Sequence, residues 1–382
     1  MKLLPAAAVL RARVALRPRT IVLEDRHGTL DAGELLDLVQ LHRRRRRRPH
    51  TALSNLPATA PLRQVLVTVL SGNGVLTHRA DGGAGAPRLQ RRGPLTPTQL
   101  LTLSDLARRI GLGPGRRVAC LTPGVHGHGL LVALGALAIG APMVDLSHLP
   151  GPERVALLHR TSPDLLSGIP VHLMDLLLAE REQDRGHPLH ISRVVSGSDA
   201  LSPALRADLA RQFRARVHDV YGSDATGPLA VDGRPLRGVH LREIDGLIHA
   251  RTPFTGRREL VTGPGTVTAG ILTQRPDGPA GPLSPSGMLP DPVAVVRVLR
   301  SHPAVGQARL RMVEDVHAGI RTVAEVELAP SADGRAAPTP EALQALVRDR
   351  LGPASVPREV RLLPSDTGRT GPAGPDLSSP GR

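Results

Sequence analysis

The chain has 382 residues and a formal net charge of +15, long enough for a large core and roughly two to three domains. Nearly all the positive charge is arginine, because Lys2 is the only lysine, and the aromatics are only Phe213, Tyr221 and Phe254; without stacking side chains or a recognisable nucleic-acid module, a nucleic-acid partner is not expected. A single cysteine, Cys120, excludes an intrachain disulfide framework and a Cys-rich zinc site, and no apolar run reaches the length of a membrane span.

The chain opens with a short apolar patch after Lys2 and carries no acid before Glu24, a pattern similar to a transit peptide or truncated signal. Arg11 and Arg13 interrupt the patch and it runs straight into a strand, so it reads as mature sequence in a cytoplasmic protein. Ile21–Glu24, the His27-Gly28 turn and Leu30–Val39 read as strand, turn and helix. Arg43–Arg48 is a run of six arginines. It would suit phosphate groups, but like-charge runs are usually exposed, so a solvated helix end or loop is the plainer reading. Leu62–Leu70, rich in valine and leucine, predicts a strand.

Ala80–Arg88 is a glycine-rich turn containing Gly82, Gly83, Gly85 and Pro87. A phosphate loop needs such glycines so that backbone N–H groups can approach oxygens, but it also needs hydroxyl donors, and here there are none; a simple flexible turn explains the segment equally well. Leu100–Ile110 predicts an amphipathic helix, Val118–Thr122 a buried strand containing Cys120, and Leu130–Ala141 an almost wholly apolar helix. His126 and His128 precede that helix, but no third ligand with sensible spacing supports a metal site. Leu165–Pro170 and Leu173–Leu178 read as strand, turn and helix.

The most informative stretch is Arg193–Gly227. A strand at Arg193–Val195 leads into a small-residue turn at Ser196–Ala200 and then a helix, with Ser202 at its N-cap, Pro203 at its first position, and Leu205, Leu209 and Phe213 on one face. A second strand, Val217–Val220, ends at Tyr221-Gly222-Ser223. Two strand ends running into small-residue loops around one helix are how an α/β sheet presents a ligand crevice. Gly278–Pro290, rich in Pro, Gly and Ser, marks a domain boundary. Beyond it the order is α-β-β-α-β, with helices at Asp291–Ser301 and Pro340–Leu351 and strands at Val305–Val313, Ile320–Leu328 and Glu359–Leu363.

The motifs SGSDALSP at Ser196–Pro203 and YGSDATG at Tyr221–Gly227 resemble SGGAPLSP and YGSTETG of the adenylate-forming acyl-CoA synthetases, the AMP-binding ligases. The resemblance implies an α/β fold: a large N-terminal domain of layered sheets and helices at 1–272, shortened over 40–74, a hinge at 273–290, and a small α+β lid domain at 291–382 with a disordered tail from about 372. It implies ATP or AMP and magnesium as cofactors, and a carboxylic acid (fatty or related) with CoA or a carrier protein as partners. The family reaction converts carboxylate and ATP to acyl-AMP and then to an acyl thioester. By position, Gly82, Gly83, Gly85 and Arg88 occupy the phosphate loop. Ser196, Gly197, Ser198, Tyr221, Gly222, Ser223 and Thr226 occupy the adenylate crevice, and Arg275 the hinge. His126 lies in the acyl-pocket motif and Arg369 or Pro372 at the lid lysine; His126 and Arg369 are the catalytic candidates.

Four departures from the family pattern bear on activity. The phosphate loop has no hydroxyl, Ala225 stands where the magnesium glutamate belongs, and Pro264 stands where an aspartate binds ribose. No lysine exists for the lid, and arginine replaces a charge but not the compact ammonium geometry. Each lost contact typically costs a few kcal/mol in the transition state. The expectation is a ligase-like protein of weak or absent activity, a pseudoenzyme. The alternatives are a working ligase in which arginines substitute, and a basic interaction protein using Arg43–Arg48.

Overall fold

The computed structural model describes residues 6–45, 51–53, 56–57, 59–72, 76–80, 88–92, 95–183, 189–223, 225–274, 292–315, 319–329, 337–351 and 355–363. The chain divides into two compact units, Met1–Leu289 with Glu314–Arg321, and Pro290–Val313 with Thr322–Arg382.

The first unit is built on a nine-stranded sheet. From one edge its strands are Arg234–Pro235, Gly227–Val231, Arg216–Ser223, Arg193–Gly197, Leu165–Gly168, Val118–Cys120, Met143–Asp145, Ile21–Asp25 and Gly28–Asp31. From Arg216–Ser223 to Ile21–Asp25 every neighbouring pair is parallel, and antiparallel hairpins finish both edges. Parallel strands are buried on both faces and read as short apolar runs without polar alternation. Val118–Cys120 and Met143–Asp145 are buried at every position. Successive residues still serve opposite faces: Val118 joins the core that contains Leu66 and Leu137, and Ala119 the core that contains Leu173 and Phe213.

Helix ends follow their local signals. Thr96 and Gln99 form a reciprocal capping box at the start of Pro97–Ile110, and Gly111 closes that helix in the left-handed conformation at φ 72°. The Ser202 side chain accepts from the Leu205 N–H at the start of Pro203–Phe213.

The segment expected as a strand at Leu62–Leu70 is a helix, Leu62–Ser71. Its valines suggested β structure, but Leu62, Val65, Leu66 and Leu70 are buried at helical spacing, and packing outweighs a propensity difference of a few tenths of a kcal/mol per residue. Both ends are held by distant charges. The buried Asp145 carboxylate accepts from the Leu62 N–H at 3.0 Å, serving as an N-cap from outside the helix, because the residue before it is Pro61. Arg43 donates to the carbonyls of Leu70 at 2.9 Å and Ser71 at 3.1 Å. Arg43, exposed in the last turn of helix Ala32–Arg45, turns its guanidinium to the C-terminal carbonyls of its neighbour. Arg44 and Arg45 are exposed, and 46–48 lie outside the described residues.

The second unit has the order helix Pro292–Arg300, strands Val305–Asp315 and Gly319–Leu328, helix Pro340–Leu351 and strand Glu359–Leu363. Its three strands lie in that order, the last pair parallel. Val295, Leu299, Ala308, Ala324, Leu343 and Val347 form its core.

Asp145 also accepts from the Ser147 N–H at 3.0 Å and the Ser147 hydroxyl at 2.6 Å. Asp145→Ala leaves these donors and the Leu62 N–H buried without a partner. Urea unfolding is expected to show a loss of about 2–4 kcal/mol.

Candidate functional site

Because the central strands run parallel, their C-terminal ends open on one edge of the sheet, where α/β proteins bind ligands. Strand Arg193–Gly197 ends there with Ser196 paired to Asp219 and Gly197 to Val220 on one side, and Ser196 to Gly168 on the other. The next strand carries Ser167 to the same edge, and the one beyond it leads to Thr122. The following helix, Gly127–Ile139, begins at His126 as its N-cap. His126, Ser196, Gly197, Ser198, Tyr221, Gly222 and Ser223 are thus gathered on one edge by the strand order.

His128, on the first turn of that helix, places Nε2 2.9 Å from the Ser167 hydroxyl. A Cβ on Gly197 would lie 2.6 Å from the His128 ring, so glycine is required where strand and imidazole meet. The chain leaves Gly197 through Ser198 at φ 72°, a left-handed conformation unusual outside glycine. Asp199 N–H returns to the Gly197 carbonyl at 3.0 Å and tightens the turn. Ser196 is 0% exposed and Thr122 1%. Neither hydroxyl finds a hydrogen-bond partner among the described residues, an uncommon state for buried polar groups. His128 retains some accessible surface, yet burial by its surroundings pushes its pKa from the ordinary 6.5 down to about 4, so the ring is neutral at pH 7. The Cys120 thiol, deep in its strand, is pushed up to about 12, chiefly by burial, and is no nucleophile.

The second loop is closed on itself. Ser223 and Thr226 hydroxyls lie 2.9 Å apart, the Ser223 hydroxyl accepts from the Thr226 N–H, and the Thr226 hydroxyl accepts from the Ser223 N–H. Thr226 is buried, and its carbonyl accepts from the Thr252 hydroxyl at 2.8 Å. Ala225, exposed in this turn, offers only a methyl. Tyr221 donates its hydroxyl to Thr262 Oγ1 at 2.9 Å, fixing the phenol against strand Leu260–Pro264. A Cβ on Gly222 would sit 2.5 Å from the Gly227 carbonyl oxygen, so the hairpin beneath Tyr221 closes only with glycine there.

Below the loop, buried His218 places Nδ1 2.8 Å from Asp232, which also accepts from the Asp219 N–H and from Arg206. Burial opposes ionisation of Asp232, but the bonds from His218, Asp219 and Arg206 outweigh it and bring its pKa to about 2. This clamp ties the Tyr221 strand to the turn after its neighbour.

Gly82, Gly83, Gly85, Arg275 and Arg369 lie outside the described residues; Arg88 begins strand Arg88–Arg92, which pairs with Leu76–Ala80. The sequence reading did not single out the His128–Ser167 pair, Thr122 or Thr262. The His126-x-His128 spacing drew attention only as a metal pattern, and a strand serine signals nothing until the strand order places it beside the histidine.

Residues 96–245 match the family model of the AMP-binding enzymes. That segment is similar to the AMP-binding enzymes. It starts at the Thr96 cap and contains all of the crevice residues above from Thr122 to Thr226. No curated protein matches the chain by sequence. Solved structures of the same fold include the amide bond synthetase McbA from Marinactinospora thermotolerans, 17% identical, with 94% of this chain and 96% of that chain covered and a TM-score of 0.56. A malonyl-CoA ligase ternary product complex with methylmalonyl-CoA and AMP bound is 21% identical, with 91% and 96% covered and a TM-score of 0.55. A double mutant of o-succinylbenzoate CoA synthetase (MenE) from Bacillus subtilis is 16% identical, with 93% and 94% covered and a TM-score of 0.58. The matched segment therefore sits in a chain that shares its α/β fold with these solved structures over most of its length. No helix among the described residues is long and apolar enough to cross a membrane.

Neutral, buried His128 gives this domain a pH dependence. The unfolded ring takes up a proton below 6.5 while the folded ring resists until about 4, so stability is complete above that range and falls as pH drops through it. At pH 5 the loss is expected to be about 2 kcal/mol. His148, also lowered by burial, acts in the same direction. His128→Gln should flatten the melting temperature between pH 7 and 5, leaving the smaller slope due to His148.

Proposed function

We propose that the protein is an acyl-CoA synthetase-like member of the AMP-dependent ligases that binds an acyl group, and a nucleotide weakly, with little or no ligase turnover. The observation that carries this reading is the chemistry of the crevice edge. It presents hydroxyls, a neutral imidazole and a phenol, but Ala225 and Pro264 stand where carboxylates would be needed, and Lys2 is the only lysine in the chain.

The family reaction requires a carboxylate to attack the α-phosphorus of ATP as pyrophosphate leaves, and a thiol then to displace AMP from the acyl group. An adenosine fits the residues present in part. The Tyr221 ring, held by Thr262, offers a flat apolar face, and the hydroxyls of Ser196 and Thr122, without partners among the described residues, offer polar contacts. A magnesium ion is not fitted. The turn offers a methyl at Ala225, and among the described residues no group of three or more His, Cys, Asp or Glu side chains is arranged to hold a metal. His128, neutral at pH 7, brings no cation to an acid's carboxylate; its bond to Ser167 and its contact with Gly197 shape the pocket wall instead. The partners that suit this reading are a fatty or related carboxylic acid, and CoA or a carrier protein.

ATP–pyrophosphate exchange across a panel of carboxylic acids tests the proposal. Exchange no greater than in a no-enzyme control is expected for every acid, and acid-dependent exchange above that control would show a working ligase. AMP should raise the melting temperature of the wild-type protein, and Tyr221→Ala should remove that shift. A shift that survives the substitution would place the nucleotide elsewhere.

A further inference from the structure

The second unit carries a groove of about 650 Å³. One wall is the helix Pro292–Arg300, which contributes Val296, Arg297 and Arg300, and the other is the strand Val305–Asp315, which contributes Ala308, Arg309 and Leu310. Val296 and Arg300 are four residues apart and Arg297 and Arg300 three, so they share one side of the helix.

Consecutive residues of a strand point to opposite faces of its sheet. A groove touched by three consecutive strand residues therefore runs along the edge of the strand rather than over one face. Val305–Asp315 is the outer strand of its three-stranded sheet, so among the described residues this edge has no neighbouring strand. Ala308 and Leu310 belong to the unit's core and form an apolar floor. Arg297, Arg300 and Arg309 are exposed, and none has an ion pair or side-chain hydrogen bond among the described residues. Arg311, two residues further along, is by contrast paired with Glu325 at 3.3 Å.

We propose that this groove is a docking site for an extended acidic segment of a partner protein, which adds to the free edge of Val305–Asp315 as a strand and places alternate carboxylates on Arg297, Arg300 and Arg309. An open strand edge supplies main-chain donors and acceptors that only another backbone can satisfy in register. The guanidinium groups select carboxylates by paired hydrogen bonds, and the apolar floor takes the side chains between them. The three arginines also keep the edge soluble when it is empty and repel a second copy of the same edge, which explains an open strand in a stable chain.

The test uses the full-length protein and a fluorescent peptide of alternating glutamate and valine. Saturable binding is expected, weakened about tenfold or more by Arg297→Glu with Arg300→Glu and Arg309→Glu, at unchanged melting temperature. The matched charge reversal Arg11→Glu, Arg44→Glu and Arg45→Glu in the first unit should leave binding unchanged. Should the groove variant fail to fold, Arg309→Ala alone is expected to weaken binding in the same direction. Binding should slow amide exchange within 305–311, and a peptide N-methylated on alternate amides should not bind. Equal binding of the N-methylated peptide, equal weakening by the control reversal, or equal binding of an alternating lysine–valine peptide would overturn the proposal. So would inorganic phosphate or anionic vesicles that bind with the same loss in the groove variant, because the surface would then be a general anion patch.

Discussion

The carboxylate of Asp145 is the point on which the first unit depends. It sits at the end of a parallel strand and takes three donors at once. One donor belongs to helix Leu62–Ser71, more than eighty residues away in sequence. With Arg43 holding the opposite end of that helix, two charged residues fix a short helix that has no side-chain cap of its own. The helix then closes the core around Leu66 and Leu70, and Leu62 lies so close to Gly124 that a Cβ there would come within 2.6 Å of it. The loop that leads into the crevice therefore takes part of its shape from a bond made on the far side of Leu62.

Polar groups at the crevice fall into two classes. Ser223, Thr226, Thr252 and Asp232 are engaged with one another or with the backbone, and they hold the loops. Ser196 and Thr122 are buried and free of partners among the described residues, while His128 and Ser167 satisfy each other. Of these eight residues only Asp232 carries a formal charge at pH 7, and it is committed to His218 and Arg206. A scaffold can keep its loops, caps and glycines without such charges, since those features are demanded by backbone geometry and not by chemistry. That separates the persistence of the fold from the persistence of the reaction.

The basic character of the chain resolves in a similar way. Arg43 is consumed in capping and Arg206 in the Asp232 clamp, whereas Arg297, Arg300 and Arg309 stand together with no ion pair among the described residues. Charge counted along the chain shows an excess, but only position shows which part of the excess is available to another molecule.

Reading Arg193–Gly227 from sequence worked because its signals are local. A cap at Ser202, a proline in the first turn and a four-residue apolar spacing each act within a few residues and need no partner elsewhere. The helix Pro340–Leu351 and strand Glu359–Leu363 were legible for the same reason. At Leu62–Leu70 the local signal, a valine-rich run, pointed to a strand, and the burial of Leu62, Val65, Leu66 and Leu70 at helical spacing decided otherwise. The pairing of His128 with Ser167 was equally hidden, because neither residue type is distinctive and only the strand order brings them within 2.9 Å. What the sequence by itself determined was the fold class, the motif loops and the absence of any lysine beyond Lys2. The tertiary structure decided which hydroxyls were left unspent and which arginines were left unpaired, since burial and partner choice are set by contacts between residues far apart in the chain.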